Sequence, residues 1–306
     1  MATEAYDDRL IAALWPPAYT LNMKPERKPE RAVKLNVIQP HSVLNRSGMG
    51  GFTLNPYNGC PVGCTYCFVP HMKHMQLETR KWGTYVDVKE GVPELLDKQL
   101  RRLRQPTRVF MSTATDPYQP VEERYQITRR ILEVFARYPQ HSLFILTKQT
   151  LVERDAELIA CLPRAAVGMS ISVIDDRLAE VIEPWAAPTS RRLATIRRLS
   201  ERGIPTYVLW APAFVPLPMT REFVRSAIAT IAESQTQALS LDSLNYRSRQ
   251  PAGMLRRLAR DGHAPATAAQ VELLRQEAER RGLLRRLDLV APESEIAELQ
   301  PLLPFE

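Results

Sequence analysis

The sequence lacks the marks of a membrane, exported or repetitive protein. No apolar run approaches the ~20 residues of a membrane-spanning helix, so no membrane partner is expected. The opening residues, Met1 to Asp8, carry acid and no apolar core, which is not the pattern of a secretory signal. A cytoplasmic location with reduced thiols is the expectation. There is no low-complexity tract, and no repeat beyond an alternation of strand-like and helix-like runs. Cysteine is scarce, with four among 306 residues. Three of the four fall within one short stretch, a spacing that favours a ligand loop over a disulfide framework.

That stretch runs from Asn55 to Cys67 and holds Cys60, Cys64 and Cys67 as C-x3-C-x2-C. Thiolates are soft ligands, and clusters of them select iron–sulfur centres or zinc. A closed zinc site draws on four protein ligands, which His71 or His74 would have to complete. A [4Fe-4S] cluster on three cysteines leaves one iron open. That iron can hold the amino and carboxylate groups of S-adenosylmethionine (SAM). His71 and His74 lie three apart, but no further Cys or His is near, so solvated or loop-packing histidines are the plainer reading.

The spacing, with Tyr66 before the last cysteine and Phe68 after it, resembles the radical SAM superfamily. The preceding Phe52-Thr53-Leu54-Asn55-Pro56-Tyr57 and the string from Ser112 to Glu122 resemble its spore photoproduct lyase-like branch. The resemblance covers residues 37 to 245. It implies a [4Fe-4S] cluster on Cys60, Cys64 and Cys67, SAM as cofactor, and an electron donor such as flavodoxin or ferredoxin. It also implies an α/β fold, a partial (β/α)6 TIM barrel. One departure matters. Spore photoproduct lyase carries a hydrogen-donating cysteine near the tip of its second strand, and here Thr113 or Ala114 stands there. A hydroxyl O–H is too strong a bond to replace S–H, so lesion repair by that route is not expected.

The chain itself reads the same way. Its length suits one α/β barrel, and 44% hydrophobic residues suffice for a sizeable core. Strand-like runs fall at 52–57, 108–113, 142–147, 166–172, 205–211 and 238–241. Helical spacing falls at 93–104, 125–138, 151–162, 189–202 and 221–233, the pattern of βα units around a parallel sheet. The expected organisation is an N-terminal arm (1–50), a barrel (51–245) and a basic helical extension (246–306).

Active residues of such a barrel sit at the C-terminal ends of its strands. There the sequence places Ser112, Thr113 and Asp116 after the second strand and Lys148 after the third. Asp116 could instead form an ordinary Asx turn, and Lys148 could pair with Asp155 or another neighbouring acid. Ser170 and Ser172 share one face of the fourth strand, and Ala211 ends the fifth. The string Glu183-Pro184-Trp185-Ala186-Ala187-Pro188 followed by Arg192-Leu193 fits a further signature of the branch. These residues, with Tyr66, are the candidate SAM contacts, and Arg192 is the expected fork for the SAM carboxylate. Cys161 is expected in the core.

The net charge is +7, and residues 247–286 carry ten arginines against four acids. Such a patch can track phosphates or simply solvate a helix face. The helices at 254–260 and 267–281 should bury Leu255, Leu258, Leu273 and Leu274 and leave the arginines outside. The expected substrate is nucleoside-like or a nucleic acid. Tailoring of another small metabolite, and a non-catalytic metal-binding nucleic-acid protein, are the alternatives.

Overall fold

Along the strands, large apolar residues alternate with small, aromatic or polar ones, so each strand offers one face to helices and another to an interior. The computed structural model describes residues 33–48, 50–75, 77–244, 256 and 258–284. Most of the expected N-terminal arm, the far C-terminal stretch and Leu255 lie outside them. In chain order the elements are β1 (Lys34–Ile38), β2 (Asn45–Arg46), β3 (Phe52–Leu54), β4 (Tyr57–Asn58) and β5 (Tyr85–Lys89). Then come α1 (Val92–Arg102), β6 (Arg108–Met111), α2 (Val121–Tyr125), α3 (Ile127–Ala136), β7 (Ser142–Thr147), α4 (Ala156–Ala160) and β8 (Ala165–Ile171). The rest are α5 (Asp176–Ile182), α6 (Thr189–Glu201), β9 (Thr206–Trp210), β10 (Phe214–Pro216), α7 (Arg221–Glu233), β11 (Ala238–Leu241), β12 (His263–Pro265) and α8 (Ala268–Arg280).

The main sheet has the order β11-β9-β8-β7-β6-β3-β2. Its pairs from β3 to β11 are all parallel, and β2 runs antiparallel on the outer side of β3. These six parallel strands are the open, partial barrel, one for each expected run. The first strand is shorter than its sequence suggests. Pro56 cannot donate to a ladder, and the chain leaves the barrel there. Tyr57 and Asn58 pair instead with Val88 and Asp87 of β5. β5 also pairs in parallel with β1, giving a separate sheet β1-β5-β4.

The outer face of the barrel carries Val109, Leu143, Ile145, Val167 and Val208, buried against Leu96, Ile131, Ile196 and Ile228 of the helices. Each such burial contributes about 1.5–3 kcal/mol relative to exposure. The inner face carries Phe110, Phe144, Gly168, Ser170 and Tyr207. Phe110 and Phe144 stack at 5.3 Å and 26°. A Cβ on Gly168 would lie 2.1 Å from the Tyr207 ring, so glycine is what lets that ring cross the interior.

The helix expected at 151–162 is a 3-10 turn (Thr150–Asp155) leading into the short α4. Cys161 at its end is exposed, not in the core as expected. α8 begins with a capping box of Thr267 and Gln270. Its buried side is Val271, Leu274 and Ala278, and Leu258 is buried as expected. Leu273 is not, being 50% exposed, because it lies off that stripe. Beyond α8, the Leu239 N–H of β11 donates to the Leu283 carbonyl at 2.9 Å.

Candidate functional site

The three clustered cysteines sit on the loop that leaves β3 and passes through β4, at the C-terminal rim of the barrel. Two motif strings hold this loop by bonding to each other. Asn55 Oδ1 accepts from the Ala114 N–H at 3.0 Å, and Thr115 Oγ1 donates to the Gly59 carbonyl at 2.7 Å. The Ser112 N–H donates to the Leu54 carbonyl at 2.8 Å. Tyr57 donates its hydroxyl proton to the buried Glu122 carboxylate. Glu122 also accepts from the Thr128 N–H at 2.9 Å and from Arg154 at 2.8 Å, so one carboxylate ties the loop to the start of α3. Gly59 has φ +77°, and a Cβ there would lie 2.3 Å from the Tyr85 carbonyl. On its far side the loop is held by Thr65 N–H to Ile182 O at 2.8 Å and Trp185 N–H to Val62 O at 3.2 Å.

A buried ionic network lies beside the loop, centred on Glu183. Its carboxylate accepts from Tyr66 and Arg192, from Ser172 at 2.7 Å, and from Lys148 Nζ at 3.1 Å. Both Glu183 and Arg192 side chains are 0% exposed, while Lys148 is 14% exposed. Burial alone would push the Glu183 carboxyl up. The Arg192 and Lys148 charges, with the two hydroxyls, outweigh that and hold it down to about 2. Lys148 Nζ also donates to Ser170 Oγ at 2.6 Å and stands 5.7 Å from the Tyr66 ring centre. Tyr66 packs on Phe214.

Burial pushes the Cys60 and Cys67 thiols up and takes Cys64 to about 12. Cys60 feels the charges of Cys64 and Cys67, so the three thiols are electrostatic neighbours. Lys148 pulls Cys64 and Cys67 back down. Among the described residues, no three His, Cys, Asp or Glu side chains converge to hold a metal ion. A four-iron cluster makes a different demand. Each cysteine ligates its own iron, and the ligands spread over separate corners. Three neighbouring soft thiols with a cation beside them fit that demand. Ser112 Oγ, buried on the same rim with no protein partner, is a polar atom left for a ligand beside such a cluster.

The structure brings together Tyr66, Lys148, Ser170, Ser172 and Arg192 in one network. It gives two of the expected SAM contacts other work. Arg192 has no exposed surface; its fork goes to Glu183, to the Ser170 carbonyl at 2.7 Å and to the Ala187 carbonyl at 2.6 Å. It is neither a solvated helix residue nor free to take a ligand carboxylate. Asp116 forms the Asx turn instead. Its Oδ1 accepts from the Tyr118 N–H at 2.9 Å and from Thr147 at 2.6 Å, and its Oδ2 from the Lys148 N–H at 2.8 Å. Burial raises its carboxyl nonetheless. Ser172 is wholly buried and bonded within the network. Ser112 takes a positive φ of 72°, uncommon for a side-chain-bearing residue, and Thr113 beside it is half-buried. Ala211 is half-buried at the tip of β9, its N–H donating to the Ile171 carbonyl at 3.1 Å. His71 is exposed. The hub itself, Glu183, was visible in its Glu-Pro string but carried no role there; a lone acid before proline does not announce burial.

The arginine patch is partly neutralised. Arg275 pairs with Glu272 at 3.4 Å, and Arg280 and Arg281 both reach Glu277, at 2.9 and 3.1 Å. Arg256 and Arg260 are exposed.

Residues 54–215 match the Radical SAM superfamily, and they take in the cysteine loop, the Glu183 network, four of the six parallel strands whole and the last residue of β3. An uncharacterized protein of Methanocaldococcus jannaschii is 32% identical over 162 residues, covering 53% of this chain and 60% of the relative. The chain thus spans less than two thirds of that relative. An uncharacterized protein of Mycobacterium bovis is 31% identical over 234 residues, covering 71% of this chain and 68% of its own. Among solved structures, spore photoproduct lyase complexed with dinucleoside spore photoproduct shares the fold. It does so with a TM-score of 0.58 at 14% identity, over 80% of this chain and 79% of that one. With its cysteine loop on the rim of an open parallel barrel and more than half its length in the matching span, the chain belongs to the radical SAM superfamily and is an enzyme of that class.

Proposed function

We propose that this enzyme reductively cleaves SAM at a [4Fe-4S] cluster held by Cys60, Cys64 and Cys67, and removes a hydrogen atom from a nucleoside-like molecule. The observation that carries the reading is the set of three neighbouring thiols on a rim loop tied to both the second and the fourth barrel strands. Held there by Cys60, Cys64 and Cys67, a cluster with SAM would supply one-electron radical chemistry. The protein's part is to bind, orient and exclude water. Lys148 is the cation of the Glu183 network that reaches the surface, and Ser112 offers an unmatched hydroxyl. Both suit the polar amino-acid end of SAM, and Ser170 and Ala211 line the same rim. Arg192 acts from behind, fixing Glu183 so that Tyr66 and Lys148 stay in place. A low-potential donor such as flavodoxin or ferredoxin would supply the electron.

The substrate class rests on three supports. The inner face presents stacked rings at Phe110 and Phe144, a surface suited to a flat base. The spore photoproduct lyase neighbour is complexed with a dinucleoside. The pairing of Arg275, Arg280 and Arg281 with Glu272 and Glu277 on α8 lowers the net positive charge that patch offers to a polymer's phosphates, which favours a small substrate. Tailoring of another small metabolite is favoured over nucleic-acid binding by that same pairing.

The test is anaerobic reconstitution with iron and sulfide analysis, then dithionite and SAM with product detection. About four irons per chain and release of 5′-deoxyadenosine are expected. Replacing Cys60, Cys64 or Cys67 with Ala should abolish both, and Cys161→Ala neither. Loss of the cluster in the Cys161 variant, or a single zinc in the wild type, would refute the assignment. Stimulation of cleavage by nucleosides, against stimulation only by other metabolites, separates the substrate readings. Salt-sensitive binding to DNA or RNA would restore the polymer.

No helix among the described residues is long and apolar enough to cross a membrane.

A further inference from the structure

The interior of the open barrel has a closed floor and a more open level above it. Tyr207 of β9 stands beside Gly168 of β8, and its hydroxyl reaches across that strand to donate to the Ile145 carbonyl of β7 at 3.0 Å. With Phe144, Ala166 and Ala238 it forms a buried apolar cluster. One step up the strands, the inner residues Leu146, Leu209 and Ser240 are only half-buried. The inner face continues up β11. Leu239 and Leu241 belong to the outer core, so Ala238, Ser240 and Asp242 share the other side. The ladder runs past the end of the strand. The Asp242 N–H donates to the Trp210 carbonyl at 3.1 Å, and the Ala213 N–H to the Asp242 carbonyl at 2.9 Å. Asp242 is thus fixed at the rim, half-buried, above Leu209 and Ser240. Its Oδ1 accepts from the Ser243 N–H at 2.8 Å. Among the described residues, Oδ2 has no hydrogen-bond partner and the carboxylate no ion pair.

We propose that Asp242 selects the substrate, its Oδ2 accepting from an amino group on the edge of a base held in the barrel. The inference rests on the proposed reading of a nucleoside-like substrate. It narrows that reading to nucleosides whose base carries an exocyclic amino group. A carboxylate accepts and cannot donate, so it matches the amino edge of cytosine or adenine. It repels the carbonyl that uracil or hypoxanthine presents at the same place. Half burial sharpens the choice, because a carboxylate stripped of water and set against a carbonyl loses a hydrogen bond and regains none. A site built on such a bond rejects an analogue lacking the donor far more strongly than an apolar pocket does. Asp242 also lies outside the 54–215 span that matches the superfamily. The cysteine loop and the Glu183 network fall inside that span, which favours the substrate side of the site for Asp242 over the cofactor side.

Cytidine against uridine, and adenosine against inosine, exchange an amino group for a carbonyl at this edge. Equilibrium dialysis of these four with the reconstituted protein and SAM, without reductant, reads binding apart from turnover. The wild type should hold the amino member of at least one pair about ten- to a hundredfold more tightly. Asp242→Asn is the diagnostic variant. The Ser243 N–H keeps the amide oxygen at the Oδ1 position, so the amide nitrogen takes the Oδ2 position and donates. The preference should therefore reverse toward uridine or inosine, which a general loosening of the site would not produce. With dithionite added, the same order should appear in the KM for nucleoside-stimulated release of 5′-deoxyadenosine. Equal binding of both members of each pair by the wild type, or an unchanged preference in the variant, overturns the selecting role and leaves the nucleoside reading standing. A loss of SAM affinity in the variant would place Asp242 on the cofactor and overturn the role as well. If Asp242→Asn fails to fold, the wild-type pairs decide. If no nucleoside binds the wild type, the nucleoside reading falls and takes this inference with it.

Discussion

Glu183→Gln is the change that most directly tests the logic of the site. Glutamine keeps the shape and can still accept from Tyr66 and Ser172. It removes the charge that compensates Arg192, which has no exposed surface of its own. Taking away one partner of a buried pair leaves an uncompensated charge in the core and costs about 3–5 kcal/mol. For a chain of 306 residues that corresponds to a melting temperature lower by roughly 5–8 °C. The double variant Glu183→Gln with Arg192→Met should regain part of the loss, because an apolar replacement of the pair removes the stranded charge. The same network makes an acid-limb prediction. The folded carboxyl sits at about 2 against an ordinary 4.5, so the native state takes up this proton less readily than the unfolded chain. Its stabilisation is complete at neutral pH and is lost as pH falls through that interval. Thermal melts from pH 7 to pH 3 should therefore show wild type and Glu183→Gln converging as the buffer becomes more acidic. A single variant within about 1 kcal/mol of wild type at pH 7, or a double variant no better than the single, would refute the idea that Glu183 neutralises a buried cation.

Two further outcomes follow from the loop itself. Tyr57→Phe should cost roughly 1–3 kcal/mol in urea denaturation, because it removes one donor from the buried Glu122 carboxylate. The iron content at saturating reconstitution should stay near wild type, since the other ties across the two strings remain. Gly59→Ala meets the Tyr85 carbonyl at 2.3 Å in a backbone conformation that suits glycine. It should lower cluster loading sharply while leaving the helical circular dichroism intact, and normal loading would show that the loop can shift aside.

What was legible in the sequence was whatever leaves a periodic or local trace. The six parallel strands and most of the helices came from alternation and from apolar spacing, and α7 falls at 221–233 as expected. The cysteine loop is legible because its three cysteines lie within eight residues. β5 lies outside the six expected runs, although Tyr85-Val86-Asp87-Val88-Lys89 alternates. Its partners are β1, about fifty residues earlier in sequence, and β4 on a loop, and neither advertises a strand. Asp116 reads as facing a ligand because polar residues at strand tips usually do, and Arg192 because its string fits the branch's signature and a guanidinium offers a planar fork. Nothing local distinguishes a guanidinium that meets a cofactor from one that meets a glutamate nine residues before it. Only three dimensions reveal that Glu183 collects two cations and two hydroxyls at a single carboxylate.

The bond from Leu239 N–H to the Leu283 carbonyl has a bearing on how the edge of an open barrel is covered. A barrel that does not close leaves a strand at each end with unpaired backbone groups, a template for another chain. At one end β2 lies antiparallel on β3. At the other, the turn after α8 lays main chain against β11, while Leu274 and Ala278 anchor that helix in the core. The stretch after the sixth strand thus acts as an edge guard for the sheet. Shortening the chain ahead of Gly282 should leave the Cys60–Cys67 loop untouched and yet yield a protein that self-associates through β11.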